Sequence, residues 1–285
     1  MILERGMLIF ASGAILSSFL LVGGIGINEI AEGRISIFNE NANVFAIRLA
    51  AAMIIIYVFL KENIINTAFL RTFFIFSLPF MGLAILETGS RSAIAVLLAG
   101  FIVWIFIRLI QSKNRILTML TSIFLAAILL IPSTYLFLQL DFSMVERVLE
   151  TVESGDLGGR STLWLSYIFL VLERPITGFG FSGFAKEALL IHGIISSPHN
   201  VILEVMLYTG LLGSAFYIYF MVKIIRAALK NYTLYGRTLS LYLVPVVLIF
   251  ILANQALAIK FVWLLMSYIV GSFLLNKEMY LIKKN

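Results

Sequence analysis

The feature that most constrains this chain is the recurrence of long apolar stretches. A helix needs about 20 apolar residues to cross the hydrocarbon core of a bilayer. Eight stretches approach that length: 7–27, 44–60, 72–86, 92–110, 116–138, 201–222, 238–254 and 259–275. Inside hydrocarbon every backbone polar group must find a partner within the protein, which leaves helices as the spanning element for such a pattern. Composition agrees, with 61% hydrophobic and 13% charged residues, whereas a soluble domain carries about a quarter charged. The predicted fold class is all-α, a polytopic helical membrane protein. A water-soluble enzyme, a disordered chain and a nucleic-acid-binding domain are poor readings. The first stretch lacks the basic leader and small-residue cleavage site of a signal peptide and is read as a span.

Charge placement sets the orientation. With the N-terminus in the cytoplasm, 13 of the 21 lysines and arginines fall on the cytoplasmic side, against three of the 15 acids. That asymmetry is the positive-inside pattern. It also accounts for the formal charge of +6 without any nucleic acid as partner; the partner implied is membrane lipid. The organisation predicted is five spans over 1–138, an extracytoplasmic loop over 139–200 and three spans over 201–285. A second outer loop covers 28–43.

The long loop carries its own pattern. In RSTLWLSYIFLVLE (160–173), Leu163, Trp164, Tyr167, Ile168, Leu170 and Val171 recur at helical spacing. The segment is too short to span and reads as an amphipathic helix on the outer leaflet. Pro175 ends it, and the glycine-rich stretch 178–183 reads as a turn.

Chemistry is scarce. The chain has no cysteine and two histidines, which removes disulfides, thiol catalysis and cysteine-ligated metal. Its two aspartates, Asp141 and Asp156, are too far apart for the D-x-D pair of metal-dependent glycosyl transfer. His192 and His199, seven apart, could share a helix face, but Pro198 and the intervening loop argue against a metal pair. GFGFSG (178–183) fits G-x-G-x-x-G but lacks the preceding strand of a dinucleotide site. It reads instead as a turn allowing the loop to approach the membrane or a substrate.

Three groups stand at the starts of outward-facing helices. Arg91, in ETGSRSAIAVLL, follows the potential caps Thr88 and Ser90 and falls in a first turn, opposing the helix dipole. Its bland reading is an interfacial anchor pairing with Glu87. Arg160 opens the amphipathic helix; its bland reading is a solvated loop arginine. His199, in SSPHNVILE, follows Ser197 as cap and Pro198 as first helical residue, which puts it in the first turn of the span 201–222. A helix N-terminus disfavours imidazolium, so a ring there stays neutral and accepts protons. Its bland reading is a structural histidine. Together the two arginines make an electropositive pocket suited to phosphate, with a base beside it to deprotonate an attacking hydroxyl. At the outer leaflet the available phosphate belongs to a lipid carrier. Glu204, five residues past His199, is an acid inside a span; it orients His199, binds an acceptor, or pairs with a neighbouring span. Lys260 and Arg48 add positive potential near the outer boundary, or snorkel.

These segments resemble the O-antigen ligase and O-antigen polymerase (Wzy-type) superfamily. The matching stretches are GRISIFNENANVFA (33–46), TGSRSAIAVLLAG (88–100), GRSTLWLSYIFLVLERPITGFGFSGF (159–184) and SPHNVILEVMLYTGLLG (197–213), in the family's order and spacing. The family's functional residues are an arginine of the SR-[SAG]-A type, an arginine starting the periplasmic-loop helix, and the histidine of the P-H-N type. By position these correspond to Arg91, Arg160 and His199. The resemblance implies a bundle similar to the multi-span GT-C glycosyltransferases, using neither metal nor cofactor. It implies transfer of a glycan from undecaprenyl diphosphate to an acceptor sugar hydroxyl, on a growing chain or a lipid core, for cell-surface polysaccharide such as lipopolysaccharide or capsule. The location implied is the bacterial inner membrane, with the site facing outward. Family members usually carry several more spans before the arginine motif, where three precede it in this chain, so the resemblance also implies a short or truncated form. A transporter or flippase of lipid-linked oligosaccharide is the rival; it calls for a charged path or symmetric broken spans, neither of which the sequence displays. A structural membrane subunit leaves the cationic helix starts unexplained.

Overall fold

The computed structural model describes residues 2–30, 34–124, 160–193, 197–255 and 257–284. The predicted span 116–138 beyond Phe124, the loop through 159 with Asp141 and Asp156, and the side chain of Arg160 lie outside them. The described chain is almost wholly helical. Among the described residues five helices are long and apolar enough to cross a membrane, as an all-α multi-pass membrane protein requires. It divides into two compact units, Met1–Leu149 and Glu150–Asn285.

The first unit holds α1 (Ile2–Val22), α2 (Ala42–Lys61), α3 (Ala68–Glu87), α4 (Arg91–Gln111) and α5 (Arg115–Phe124). The first span begins and ends five residues earlier than the apolar run predicts. Gly24 and Gly26 take positive φ just past Val22, which stops the helix while the sequence stays apolar. α2 is the centre of the unit, packed against α1, α3 and α4. Its most apolar window is 72% buried, and Ala50, Ala51 and Ala52 are fully buried. Small side chains let neighbouring helices come close, which is how helices associate in lipid. α4 uses the same device, placing Gly100 against Ile54 of α2.

The outer loop predicted over 28–43 contains a β-hairpin, β1 (Ile27–Ile30) antiparallel to β2 (Arg34–Ile37), with Ile27 opposite Ile37 and Ile30 opposite Arg34. Asn41 then caps α2, its side chain accepting from the Asn43 and Val44 amides.

The second unit holds α6 (Arg160–Glu173), α7 (Gly180–His192), α8 (Val201–Tyr235), α9 (Leu239–Ala253) and α10 (Lys260–Lys284). α8 is its spine, contacting the other four. Where the three long helices meet, Asn231 Nδ2 donates to Ser240 Oγ and Ser272 Oγ, both at 2.8 Å. Asn276 Nδ2 donates back to Asn231 Oδ1 at 2.7 Å. An amide network of this kind, buried at Asn231, Ser240 and Ser272, ties α8, α9 and α10 together.

α8 is not the uninterrupted span predicted over 201–222. It is broken at Gly210, with φ 65° and ψ −165°, a region open essentially to glycine alone. The break separates the Leu207 carbonyl from the Leu211 amide, partners in a continuous helix. Residues 175–179 occupy the gap. Phe179 N–H donates to Leu207 O at 2.8 Å, and Leu211 N–H donates to Pro175 O at 2.7 Å. Both ends of the missing helical bond are thus satisfied by one inserted turn. The approach is backbone on backbone. A Cβ on Gly178 would stand 2.7 Å from Gly210 N and Leu207 O, and a Cβ on Gly210 would overlap the Ile176 carbonyl. The stretch 178–183 is therefore not a turn throughout: Gly178 is the contact with α8, and from Gly180 onward the chain is helix.

Candidate functional site

In the first unit, α3 ends at Glu87, Thr88 follows as its C-cap, Gly89 turns the chain at φ 62°, and Ser90 occupies the N-cap position of α4. Arg91 is the first residue of α4, as its sequence position predicts. Ser90 makes no capping bond through its side chain. Thr88 Oγ1 instead donates to Ile85 O at 2.6 Å and accepts from Ser90 N–H at 3.3 Å, so the turn is stabilised from its α3 side.

A second arginine reaches the same turn. Arg34 donates through Nε to the Thr88 carbonyl at 2.9 Å and through Nη2 to Asn43 Oδ1 at 3.0 Å. It ties hairpin, α2 start and Arg91 turn into one joint. Sequence reasoning misses Arg34, because what marks it is its place in a hairpin too short to recognise and its bond to Thr88, distant in sequence. Arg48 makes a bidentate pair with Glu40, at 2.9 and 2.6 Å, and sits 5.4 Å from the centre of the Phe45 ring. Its charge is neutralised locally, so it adds little to the positive potential of this end of the unit. Burial pushes the Glu40 carboxyl above its ordinary range, with Arg48 pulling it part of the way back.

In the second unit, α6 occupies the span its periodicity predicts. Tyr167, Leu170 and Val171 are buried against α7 and α8 together with Phe184, Leu203 and Leu207. Ile168 is 48% exposed, with Leu165, Phe169 and Leu172 also exposed beside it. α6 therefore presents apolar side chains on both faces: one packs on α7 and α8, and the other is exposed. Trp164 Nε1 donates to the Pro198 carbonyl at 2.7 Å. This bond ties the first part of α6, whose opening residue is Arg160, to the segment carrying His199.

His199 is not in the first turn of α8. The N-cap is Asn200, whose Oδ1 accepts from Leu203 N–H at 3.2 Å. His199 lies one residue before it, in the left-handed region at φ 50°. Ser197 does not cap the helix either; its Oγ accepts the His199 amide at 3.3 Å, a local turn bond of the kind serine often makes. The physical reason for the offset is that asparagine is a strong cap, and a left-handed residue before it swings the chain into the helix from the side. A non-glycine residue in that region is strained by about 1–2 kcal/mol. His192 ends α7 and contacts Ser166 Oγ at 3.2 Å, with its ring edge-on to Tyr167. It joins α6 to α7, and Gly193 at φ 69° separates it from the helix of Glu204.

Glu204 lies in the first turn of α8 and is 8% exposed. Oε1 accepts from Tyr208 Oη at 3.0 Å, one turn along. Oε2 has no hydrogen-bond partner among the described residues. Glu204 lines a cavity of about 490 Å³ with Ser197, Tyr208, Phe181, Phe184 and Gln255 among its walls. On the other side of the helix start, Trp164, Asn200 and Met206 line an apolar groove of about 370 Å³. Sequence reasoning also misses Tyr208, although its spacing of four from Glu204 is the helical pairing distance.

Arg91 belongs to the first unit, and Arg160, His199 and Glu204 to the second. Within the second unit the structure brings the start of α6, the His199 turn and the Glu204 cavity to the N-terminal end of α8. No curated protein matches the chain by sequence. The family model described as O-antigen ligase matches residues 76–218, half of the chain, from within α3 through the first part of α8. That region contains the Arg91 turn, α6, the His199 turn and Glu204. The chain is a member of the O-antigen ligase family.

Proposed function

We propose that this chain transfers a glycan from undecaprenyl diphosphate to an acceptor sugar hydroxyl at the extracytoplasmic face of the bacterial inner membrane. Arg91 and Arg160 bind the diphosphate, a task for which the guanidinium fork suits paired phosphate oxygens. His199 takes the proton of the attacking hydroxyl. The hydroxyl oxygen bonds to the anomeric carbon, the bond from that carbon to the diphosphate breaks, and its electron pair leaves on undecaprenyl diphosphate. Charge developing on the leaving group is what the arginines stabilise. The acceptor is the growing chain in a polymerase and the lipid core in a ligase; the same site chemistry serves both.

The observation that carries this reading is the backbone of His199. Non-glycine residues held at positive φ cluster at functional sites; among the described residues Phe38, Asn39 and Asn63 share this conformation with His199, and of these His199 alone carries a group that accepts a proton near neutral pH. His199 is strained, is placed beside the start of α6 by the Trp164–Pro198 bond, and lies within the family match. The transporter or flippase reading expects broken helices open to a substrate. The break in α8 is filled by residues 175–179 of the chain itself, which accounts for it without cargo.

The test is transfer by the purified chain in proteoliposomes from a lipid-linked diphosphate oligosaccharide extracted from bacterial membranes. Replacing His199 with alanine should lower the rate by at least about a hundredfold while the protein still inserts and melts as the wild type does. An unchanged rate refutes the role of His199 as base.

A further inference from the structure

The cavity at Glu204 is separate in character from a phosphate site. Among the described residues, its lining side chains include one carboxylate and no lysine or arginine, so a diphosphate would be repelled from it. A lipid tail fits no better, because a buried carboxylate with a free oxygen is a poor wall for hydrocarbon. The occupant must donate hydrogen bonds to a carboxylate, meet an amide and a hydroxyl, and turn an apolar face to aromatic rings.

The geometry points to a sugar-binding subsite in this cavity, where the acceptor glycan docks with a ring hydroxyl donating to Glu204. The inference rests on the glycan-transfer reading for the word acceptor, but the sugar subsite itself stands on the cavity alone. A pyranose ring has a hydroxyl edge and a C–H face, which are the two surfaces the cavity calls for. The volume of about 490 Å³ falls within the range of small-molecule pockets, roughly 300–1,000 Å³. Phe181 and Phe184 supply the apolar wall, and both rings stand edge-on to Tyr208, at 5.6 and 5.5 Å between ring centres. Phe181 is 70% exposed, leaving its ring available to the C–H face of a sugar. Gln255 and Ser197 supply the remaining polar groups.

Glu204 is prepared for this work. Tyr208 holds Oε1, which fixes the carboxylate on its own helix. Oε2 is covered and unpartnered among the described residues, a state that is unfavourable until a donor arrives. Glu204 is itself among the walls of the cavity, so the side chain that carries the free oxygen borders the space a ring hydroxyl enters. The subsite borders the turn that carries the proposed base, because Ser197 lines the cavity and accepts the backbone amide of His199 at 3.3 Å.

The experiment uses the full chain in lipid nanodiscs free of sugar-based detergent. Methyl glycosides of glucose, galactose, mannose, rhamnose and N-acetylglucosamine are offered at millimolar concentration, and saturation transfer from protein to ring protons is measured. At least one glycoside should receive saturation, and its affinity should fall about tenfold in Glu204→Gln, the loss expected for a hydrogen bond to a charged group. Thermal melting confirms that the variant is folded; if it is not, Gln255→Leu carries the same prediction. Saturation of no glycoside, or saturation unchanged in the folded variant, overturns the subsite. His199→Ala separates the two ideas: it should retain glycoside binding while losing transfer. Transfer by the wild type without Glu204-dependent binding sinks the subsite and leaves the proposed function standing. Glu204-dependent binding without any transfer by the wild type keeps a sugar subsite and sinks the enzyme.

Discussion

Replacing Gly210 with alanine tests the inserted turn, and the structure limits how the protein can respond. One response keeps the break. Alanine then occupies φ 65° and ψ −165°, in a region that costs about 1–3 kcal/mol for a residue with a side chain, and its Cβ overlaps the backbone of Ile176, which has no rotamer to escape by. The other response straightens α8. The Leu211 amide then recovers the Leu207 carbonyl, but Phe179 N–H and Pro175 C=O lose the partners they hold at 2.8 and 2.7 Å. Each part-buried group left unpaired costs up to about 1–3 kcal/mol, and the turn must leave the helix. Either route destabilises the second unit by at least about 2–4 kcal/mol. Gly180→Ala is the internal control: it has a similar φ of 69° but nothing within 4 Å of the added Cβ, so it loses only about 1–2 kcal/mol of backbone strain. The assay is thermal unfolding of purified protein, read by the fraction that stays monodisperse after heating. The expected order of melting is wild type highest, then Gly180→Ala, then Gly178→Ala, with Gly210→Ala lowest. Gly210→Ala melting at or above Gly180→Ala refutes the claim that the glycine pair exists for backbone contact.

Other outcomes follow from particular contacts. Asn231→Ala removes the amide that joins α8, α9 and α10 and should lower stability by about 1–2 kcal/mol, measured by the same melting assay. Arg34→Ala, which frees the Thr88 carbonyl and Asn43, should reduce transfer by loosening the Arg91 turn while leaving the sugar subsite of the second unit unaffected in glycoside binding. Glu40 has a carboxyl raised from 4.5, chiefly by burial, so the folded state holds its proton more tightly than the unfolded state does. Its contribution to stability is therefore present below pH 4.5 and is lost as pH rises through the higher folded value. Melting across that range should show a downward contribution in the wild type that is missing from Glu40→Gln, read as the difference between the two curves.

Much of the architecture is legible in the sequence because it depends on length and punctuation. The apolar runs 44–60, 92–110 and 238–254 end within a residue of their helices, whereas α8 and α10 continue past the runs ending at 222 and 275, to Tyr235 and Lys284; Arg160–Glu173 can be read from its period and from Pro175. Arg91 can be placed because a Gly-Ser pair before an apolar run is a helix start whatever surrounds it. What escapes depends on partners remote in sequence. The break at Gly210 sits inside a 35-residue helix, where one glycine is ordinarily tolerated; its cause is a turn some thirty residues upstream. α7 escapes because its glycine-rich opening looks like a loop, and the hairpin escapes because four-residue strands barely show an alternation. The helix start lies three positions later than expected, at Asn200 rather than Ser197, since both are competent caps and only the backbone decides between them. The Glu204 cavity needs α7, α8 and the segment after α9 together, and no local pattern announces that meeting.

The most direct test of the central claim compares two replacements of His199. Asparagine tolerates the left-handed backbone that His199 adopts and keeps hydrogen-bonding capacity, but it takes no proton near neutral pH. If His199 is the base, His199→Asn folds, melts close to the wild type, still binds donor, and transfers glycan at least about a hundredfold more slowly, no better than His199→Ala. Transfer by His199→Asn at the wild-type rate would mean that the position is kept for its conformation, and proton abstraction by His199 would have to be abandoned.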